Sequence, residues 1–415
     1  GDVDPFGSAL HGEDLAAEAV ASLDPKVSRA FESTVTLGPD SGAPDRLGVE
    51  VASFFAIRPD GHVGCRSDGA GTQPIEDYVD LLRAGGRCAA EGNWGGTMKR
   101  VYVTGGNGFL GSSVVAGLAG ASDQVELIVS ADIRPPAGDR VIDGVIYEIA
   151  DVTDAQTVSE QIAEHRIDTV VHLASMMNPG KDVTLEQEYA VDVTGTGNVL
   201  AACVAAGVGR IVVSSSGAAY GYHADNPSWL IEEDPVRGND SFAYSRHKRL
   251  VEEMLAEFRE TNPELEQVVL RIGTILGETV DNQITDLFKA KRLLKIKGSD
   301  SPFVFIWDQD VVAIIEQAVL GDVTGIFNVA GDGRMKIGEI AEAMGKHTIV
   351  VPVGALKTGL KVAGRFGLTD HGPEQTDFLQ YRPVLDNRQL KETFGYTPKL
   401  TTRQAFKAWQ EANGL

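Results

Sequence analysis

Tyr244 and Lys248, in the stretch SFAYSRHKRLVEE, stand four residues apart in a run with helical patterning, so both side chains share one helix face. A free phenol, with a pKa of about 10, is a poor acid or base at neutral pH. A neighbouring ammonium stabilises the phenolate and is expected to lower that value. Lys248 is suited to this electrostatic task, and its remaining donors are free to hold a ribose. Upstream, IVVSSSGAAYGY ends an apolar run in three serines, of which Ser216 is placed to hydrogen-bond a substrate oxygen and fix it near the phenol. Tyr-x-x-x-Lys recurs by chance, so its weight depends on what accompanies it.

What accompanies it is VYVTGGNGFLGSS, Val101 to Ser113. The spacing of Gly105, Gly108 and Gly111 allows a tight strand-to-helix turn, close approach of a pyrophosphate to backbone N–H groups, and close packing of helix on strand. An acidic residue, Asp132 of SADIRPP, ends the next apolar run about twenty residues later, where a carboxylate accepts hydrogen bonds from an adenosine ribose and repels a 2′-phosphate. NAD is therefore expected as cofactor. NADP is the alternative, because the Arg134 guanidinium two residues on can partner a phosphate. The candidate cofactor-binding set here is Gly105, Asn107, Gly108, Phe109, Leu110 and Gly111 with Asp132, Ile133 and Arg134.

These residues need a scaffold that brings strand ends together. After Met98 the chain alternates short β-branched runs (RVYVTG, VELIVSAD, GVIYEIAD, DTVVHLAS, RIVVSSS, QVVLRIG) with amphipathic helical stretches. That alternation predicts an α/β fold with a doubly wound, parallel Rossmann sheet. Before Met98 the style differs. HGEDLAAEAVASL reads as a helix, VEVASFFAIRPDGHVGCRS as two strands about a Pro59-Asp60-Gly61 turn, and IEDYVDLLRAGG as a closing helix. The Gly-rich stretch from Arg83 to Arg100 reads as a linker. The expected division is thus a small α/β appendage with linker, 1–97, and a larger unit, 98–415.

Lys plus Arg number 37 against 59 for Asp plus Glu, a net charge of −22, with the deficit shared between the two units. Such a balance excludes a surface built for nucleic acid or anionic lipid. No apolar run reaches the roughly 18 residues of a membrane span. The three cysteines, Cys65, Cys88 and Cys203, lack metal-ligand spacing, and no metal is expected. Thiols few and unpaired in sequence, and a start without a basic or apolar leader, suggest a reducing, cytoplasmic setting. Partners are expected to be a small-molecule substrate and, at most, a second copy of the chain.

Taken together, residues 98–415 resemble extended short-chain dehydrogenases/reductases of the NAD-dependent epimerase/dehydratase family. The likeness runs from TGGNGFLG through DVTD, VVHLAS, TGTGNVLAACVAAGVGRIVVSSS and YSRHK to FIWDQDVVAII, GIFNVAG and LKETFGYTPKLTTRQAF. It implies a Rossmann domain with a smaller substrate lobe, formed mainly from 273–300 and 331–400. It implies that Asp151 and Val152 flank the adenine, that Leu173, Ala174 and Ser175 run past the cofactor, and that Ser216, four residues before Tyr220, is the catalytic serine. Residues 51–83 resemble, over about thirty residues, the C-terminal thioredoxin-like lobe of FAD-dependent aromatic hydroxylases. Met98 then reads as the start of a once separate enzyme in a fusion.

Three departures from the family pattern narrow the activity. Gly217-Ala218 replaces the Asp-Glu pair with which 4,6-dehydratases eliminate water. Phe303 of PFVFIWDQD replaces an arginine that meets the diphosphate in UDP-hexose epimerases. Asp192 of AVDVTGTGN replaces an asparagine. The alternating aromatics Phe303, Phe305 and Trp307 favour an apolar or aromatic substrate. The leading expectation is a ketoreductase-type oxidoreductase, interconverting a secondary alcohol and a ketone with Tyr244 as acid/base, Ser216 as orienter and Lys248 as ribose anchor. The alternative is a UDP-hexose 4-epimerase. It draws on the basic run FKAKRLLKIKG, with Lys289, Lys291, Arg292, Lys295 and Lys297, which reads as a solvated helix face or a phosphate site. A nonenzymatic redox sensor is disfavoured by the retained Ser-Tyr-Lys set.

Overall fold

A computed structural model describes residues 98–177, 180, 183–280, 282–300, 302–365 and 375–415, together with the strands Ser53–Ile57 and Val63–Asp68. Two compact units divide the chain, Gly1–Gly95 and Gly96–Leu415. Of the first, the description covers one antiparallel hairpin, in which Ser53 pairs with Asp68 and Ile57 with Val63. Both strands expected there are present. The Pro59-Asp60-Gly61 turn and the two expected helices lie outside the described residues.

In the second unit seven parallel strands form one sheet: β1 (Lys99–Thr104), β2 (Val125–Asp132), β3 (Val145–Ile149), β4 (Thr169–His172), β5 (Arg210–Ser216), β6 (Glu266–Ile272) and β7 (Gly325–Val329). Their spatial order is β7-β6-β5-β4-β1-β2-β3, the Rossmann arrangement, in which the order reverses between β1 and β4 and a crevice opens at their carboxyl ends. Six of these strands coincide with the apolar runs read from the sequence. The seventh, GIFNV, had gone unread as a strand.

The sheet is buried on both faces, which explains its apolar, β-branched strands. Along β1, Val101 and Val103 point into one layer and Tyr102 into the other, the period of two that a strand imposes. The first layer is closed by Val114, Val115 and Leu118 of α1 (Phe109–Gly120) and by Val311, Ile314 and Ile315 of a later helix, Asp308–Leu320. The second is closed by α2 (Ala155–Glu164), α3 (Gly195–Ala206) and α4 (Ala243–Thr261), through residues such as Val158, Leu200 and Leu255. The helical stretch Leu185–Ala206 that includes α3 is long and apolar enough to cross a bilayer, yet here Val199, Leu200 and Cys203 are core residues.

A separate apolar cluster lies in the C-terminal part, where Phe288, Phe303, Phe305, Phe406 and Trp409 pack ring against ring and Trp307 is buried among them. The alternating aromatics of PFVFIWDQD are therefore core. They form two short strands, Pro302–Phe303 and Phe305–Trp307, which pair with different partners. The basic run is also corrected: only Lys289 ends a helix, and Arg292–Ile296 is a strand parallel to His347–Val351. Its buried Leu293 and Ile296 are three residues apart, a spacing that imitates a helix face.

Candidate active site

The turn between β1 and α1 is made by glycines for two separate reasons. Gly105 has φ +65°, and a Cβ there would meet the Ala174 nitrogen at 2.9 Å; a Cβ on Gly111 would collide with the Gly105 carbonyl oxygen. The loop is thereby drawn onto the segment after β4, and the first N–H groups of α1, which have no partner within the helix, face the crevice. No acidic residue stands in that first turn, so the positive end of the helix is available to an anion.

Asp132 sits at the carboxyl end of β2. Its Oδ2 accepts from the Asn107 N–H and its Oδ1 from the Arg134 N–H, each at 3.2 Å. Asn107 in turn donates to the Arg134 carbonyl at 2.7 Å and accepts from the Ser130 hydroxyl at 2.9 Å. These bonds bind the glycine loop to the second strand end. Phe109, Ile133 and Arg134 are exposed around the carboxylate, and Leu110 is half-buried. Asp151 is exposed and accepts from the Thr153 N–H and hydroxyl. Val152 is buried under Gly195 at the start of α3. Leu173, Ala174 and Ser175 follow β4 directly, and the N–H groups of Leu173 and Ala174 both donate to the Thr104 hydroxyl at 3.2 Å.

Across the crevice, Ser216 ends β5 and its hydroxyl accepts from the Ala218 N–H at 3.1 Å. It also hydrogen-bonds the Tyr244 phenol, and burial nevertheless pushes that phenol up to about 12. The phenol is therefore raised, not lowered as expected, with the Asp192 charge adding to burial, and burial likewise lowers the Lys248 ammonium from its ordinary value. Lys248 is buried, donates to the Ser214 carbonyl at 3.0 Å, and holds its Nζ 5.7 Å from the centre of the Tyr244 ring. Ser216, Tyr244 and Lys248 are thus together. Ser214 and Ser215 serve the backbone and the core: Ser214 donates to the His172 carbonyl, and Ser215 to buried Glu252. Gly217 and Ala218 are both buried, with a Cβ on Gly217 meeting Leu385 at 3.2 Å, and neither position carries an acid or a base.

A buried hydrogen-bonded chain, to which no motif pointed, supports both halves of the site. His172, burial and Lys248 pressing it down to about 3, is neutral. Its Nδ1 lies 2.8 Å from the Thr104 hydroxyl and its Nε2 2.9 Å from that of Thr196, which donates to the Asp192 carbonyl at 2.6 Å. With the Thr104 oxygen already accepting two N–H bonds, its proton must go to Nδ1, which leaves the histidine proton on Nε2 for Thr196. Beneath β5, Arg271 pairs with Glu252 at 2.6 Å and donates to the Tyr220 hydroxyl at 2.8 Å.

Arg382 was also missed. Its guanidinium carbon lies 4.0 Å from the centre of the Phe303 ring and 4.2 Å from that of Phe378. Phe378 touches Tyr222 and Phe242, and Phe242 touches Tyr244, so a row of rings leads from the phenol to the cation. Burial lowers this guanidinium to about 10, so it stays charged at neutral pH, and its buried Nε has no hydrogen-bond partner among the described residues. The strand of Phe303 brings no arginine of its own. It seats one from elsewhere in the chain.

Residues 101–329 match the model of the NAD dependent epimerase/dehydratase family. The chain belongs to that family. It is 26% identical over 323 residues to an uncharacterised protein of Mycobacterium tuberculosis, covering 76% of this chain and 85% of the relative. To a UDP-glucose 4-epimerase of Neisseria meningitidis it is 31% identical over 186 residues, 43% of this chain and 54% of that protein. Among solved structures it is similar to the Bordetella bronchiseptica enzyme WbmG in complex with NAD and UDP, with TM-score 0.59, 20% identity, and coverage of 77% of this chain and 95% of that one. It is also similar to a UDP-glucose 4-epimerase of Thermus thermophilus in complex with NAD, with TM-score 0.57, 23% identity, and coverage of 75% and 98%. The chain is therefore an NAD-dependent enzyme of Rossmann fold. The glycine cradle and the open helix end fit the pyrophosphate of NAD, and the Asp132 carboxylate fits its ribose. Among the described residues no cluster of metal-ligating side chains occurs.

Proposed function

We propose that this enzyme oxidises a secondary alcohol on a nucleoside-diphosphate sugar and returns the hydride, as a 4-epimerase does. Arg382 carries the choice of substrate. A half-buried guanidinium whose buried Nε lacks a partner among the described residues, held between two rings at the end of an aromatic row from Tyr244, suits a diphosphate, which accepts charge-assisted hydrogen bonds in pairs. The rings of Tyr222, Phe242 and Phe378 along the way suit the apolar face of a sugar or base. The case for an apolar ketone loses a support, since Phe303, Phe305 and Trp307 are core.

Bound NAD would supply the hydride acceptor and donor for this chemistry. Ser216 holds the substrate oxygen, Tyr244 accepts its proton as the alcohol is oxidised and gives it back on reduction, and Lys248 anchors the nicotinamide ribose while its charge favours the phenolate. The partial burial that raises Tyr244 lowers the local dielectric, which strengthens the effect of the Lys248 charge. The setting that best suits the free, buried Cys203 is the reducing cytoplasm.

The aromatic row also suits the second reading, net reduction of an apolar or aromatic ketone. Addition of UDP-hexoses and of aromatic ketones to the NAD-loaded and NADH-loaded enzyme separates the two. Epimerisation interconverts hexoses with no net change in nicotinamide absorbance, whereas a ketoreductase consumes NADH in proportion to product. Stoichiometric NADH loss with a ketone, and no response to any UDP-hexose, would overturn the proposal.

A further inference from the structure

Asp192 occupies a π-helical turn, Ala190–Thr194, at the start of α3, and it is buried. Both of its oxygens are engaged. Oδ1 accepts from the Ser175 hydroxyl at 2.9 Å and from the Met176 N–H at 2.8 Å, while Oδ2 faces His247 Nδ1 at 3.0 Å. His247 immediately precedes Lys248 on α4. It is fully buried, and its ring meets the Tyr189 ring edge-on at 5.7 Å. Its Nε2 has no partner among the described residues. The tautomer with hydrogen on Nδ1 gives that hydrogen to Asp192 and leaves a lone pair, not an N–H, unmatched.

The charges around Lys248 show why this matters. The groups facing it are His172 from β4, Asp192 from the turn before α3, and Tyr244 and Glu252 from its own helix. His172 is neutral, and Glu252 is bound to Arg271. Asp192 also faces Glu188, whose carboxyl is raised, chiefly by burial. Asp192 is thus the buried carboxylate beside Lys248 whose own partners are a hydroxyl, an amide and an imidazole, with no guanidinium to cancel it. Burial pushes its carboxyl up, but the His247 hydrogen bond, the Lys248 charge and the Met176 and Ser175 donors outweigh that and hold it low. An amide side chain at this position would fill similar space without the charge.

We propose that Asp192 and His247 form a positioning pair, a fixed counter-charge for the Lys248 ammonium and a clamp joining the segment after β4 to the catalytic helix. Neither residue need touch substrate. The inference rests on the assignment of Lys248 as ribose anchor.

The test is NAD affinity against pH, by fluorescence titration of the full chain, which needs no knowledge of the substrate. In the native protein, affinity holds through neutrality and falls on the alkaline side as Lys248 loses its proton. Asp192→Asn removes the counter-charge, so that fall moves to lower pH by about one unit. His247→Asn keeps a donor near the Nδ1 position and leaves the profile close to native, a rescue that packing alone would not predict. If Asp192→Asn does not fold, His247→Leu carries the test. With the imidazole donor gone the carboxylate takes up a proton more readily, and affinity weakens several-fold on the acid side. An unshifted profile in a folded Asp192→Asn or His247→Leu variant overturns the pair. Lys248→Met separates the two ideas: it abolishes the alkaline fall, and a fall that persists in this variant refutes the role given to Lys248 instead.

Discussion

Two polar regions flank the crevice, and they are built on opposite terms. Behind the cofactor side, the chain from Thr104 through His172 and Thr196 to Asp192 matches each hydrogen with an acceptor inside the protein. In the C-terminal part, Arg382 is held by ring faces and keeps a buried donor unmatched. A satisfied buried network fixes geometry. An unsatisfied buried cation costs stability unless something external completes it. On the proposed function, the first region positions and the second recognises, so reaction type and substrate choice divide along the same line.

The largest expected effect tests the positioned side. Tyr244→Phe removes the proton carrier but keeps the ring beside Phe242, so turnover should fall by about 10²–10⁴-fold while NAD affinity stays within about threefold of native. Single-turnover kinetics and cofactor titration check this together. A Phe variant with native turnover would take Tyr244 out of the mechanism.

Next comes the pH response of the network. His172 titrates near 6.5 when unfolded and is pressed down to about 3 in the fold. The unfolded chain therefore binds the extra proton first, so the stability contributed by neutral His172 is complete above pH 6.5 and is lost as pH falls toward 3. The loss is on the order of 4 kcal/mol by linkage. Denaturant unfolding at several pH values should show the decline, and His172→Gln should flatten it between pH 6.5 and about 4. The Asp192 contribution, from a carboxyl held low, is lost only below the ordinary carboxylate range of about 3.9. A native protein whose stability is level across the upper interval would contradict the neutral, buried histidine.

On the recognition side, Arg382→Gln should weaken binding of UDP-hexose by about 3 kcal/mol, roughly 150-fold, if a desolvated charge-assisted contact is lost. Binding of NAD should be unaffected. Equal affinity of the variant and native protein for UDP-hexose would return the substrate question to the apolar reading.

What could be read from the sequence follows the same division. Gly105, Gly108 and Gly111, the Asp132 strand end, and the Tyr244–Lys248 spacing are local patterns, each set by a turn, a strand or one helix face. Strand β7 escaped because five residues, GIFNV, carry too short a period to separate from a loop. The run around Leu293 and Ile296 misled because buried residues three apart imitate a helix. Arg382 lies 79 residues beyond Phe303, and His247 lies 55 beyond Asp192. Only the fold brings such pairs together, and no periodicity announces them. Phe303 shows the cost most clearly. Read alone it argued against a diphosphate, whereas in place it is the platform for a cation.

The smallest expected effect sharpens the boundary of the positioned region, at the cofactor's far end. Asp132 spends one oxygen on the Asn107 N–H and the other on the Arg134 N–H, so part of its worth is structural. Its carboxylate remains only half-buried, at the mouth of the glycine cradle. Replacing it with alanine removes an acceptor for the ribose hydroxyls and a charge that repels a 2′-phosphate, while leaving the exposed Arg134 guanidinium a few ångströms along the same turn. Asp132→Ala should therefore weaken NAD by on the order of 1–3 kcal/mol and narrow the gap to NADP. Paired titrations with both cofactors read the two effects separately. Should affinity for NAD and NADP fall equally, Asp132 acts through the loop and Asn107 alone; should the native protein already favour NADP, its assignment as the ribose carboxylate is wrong.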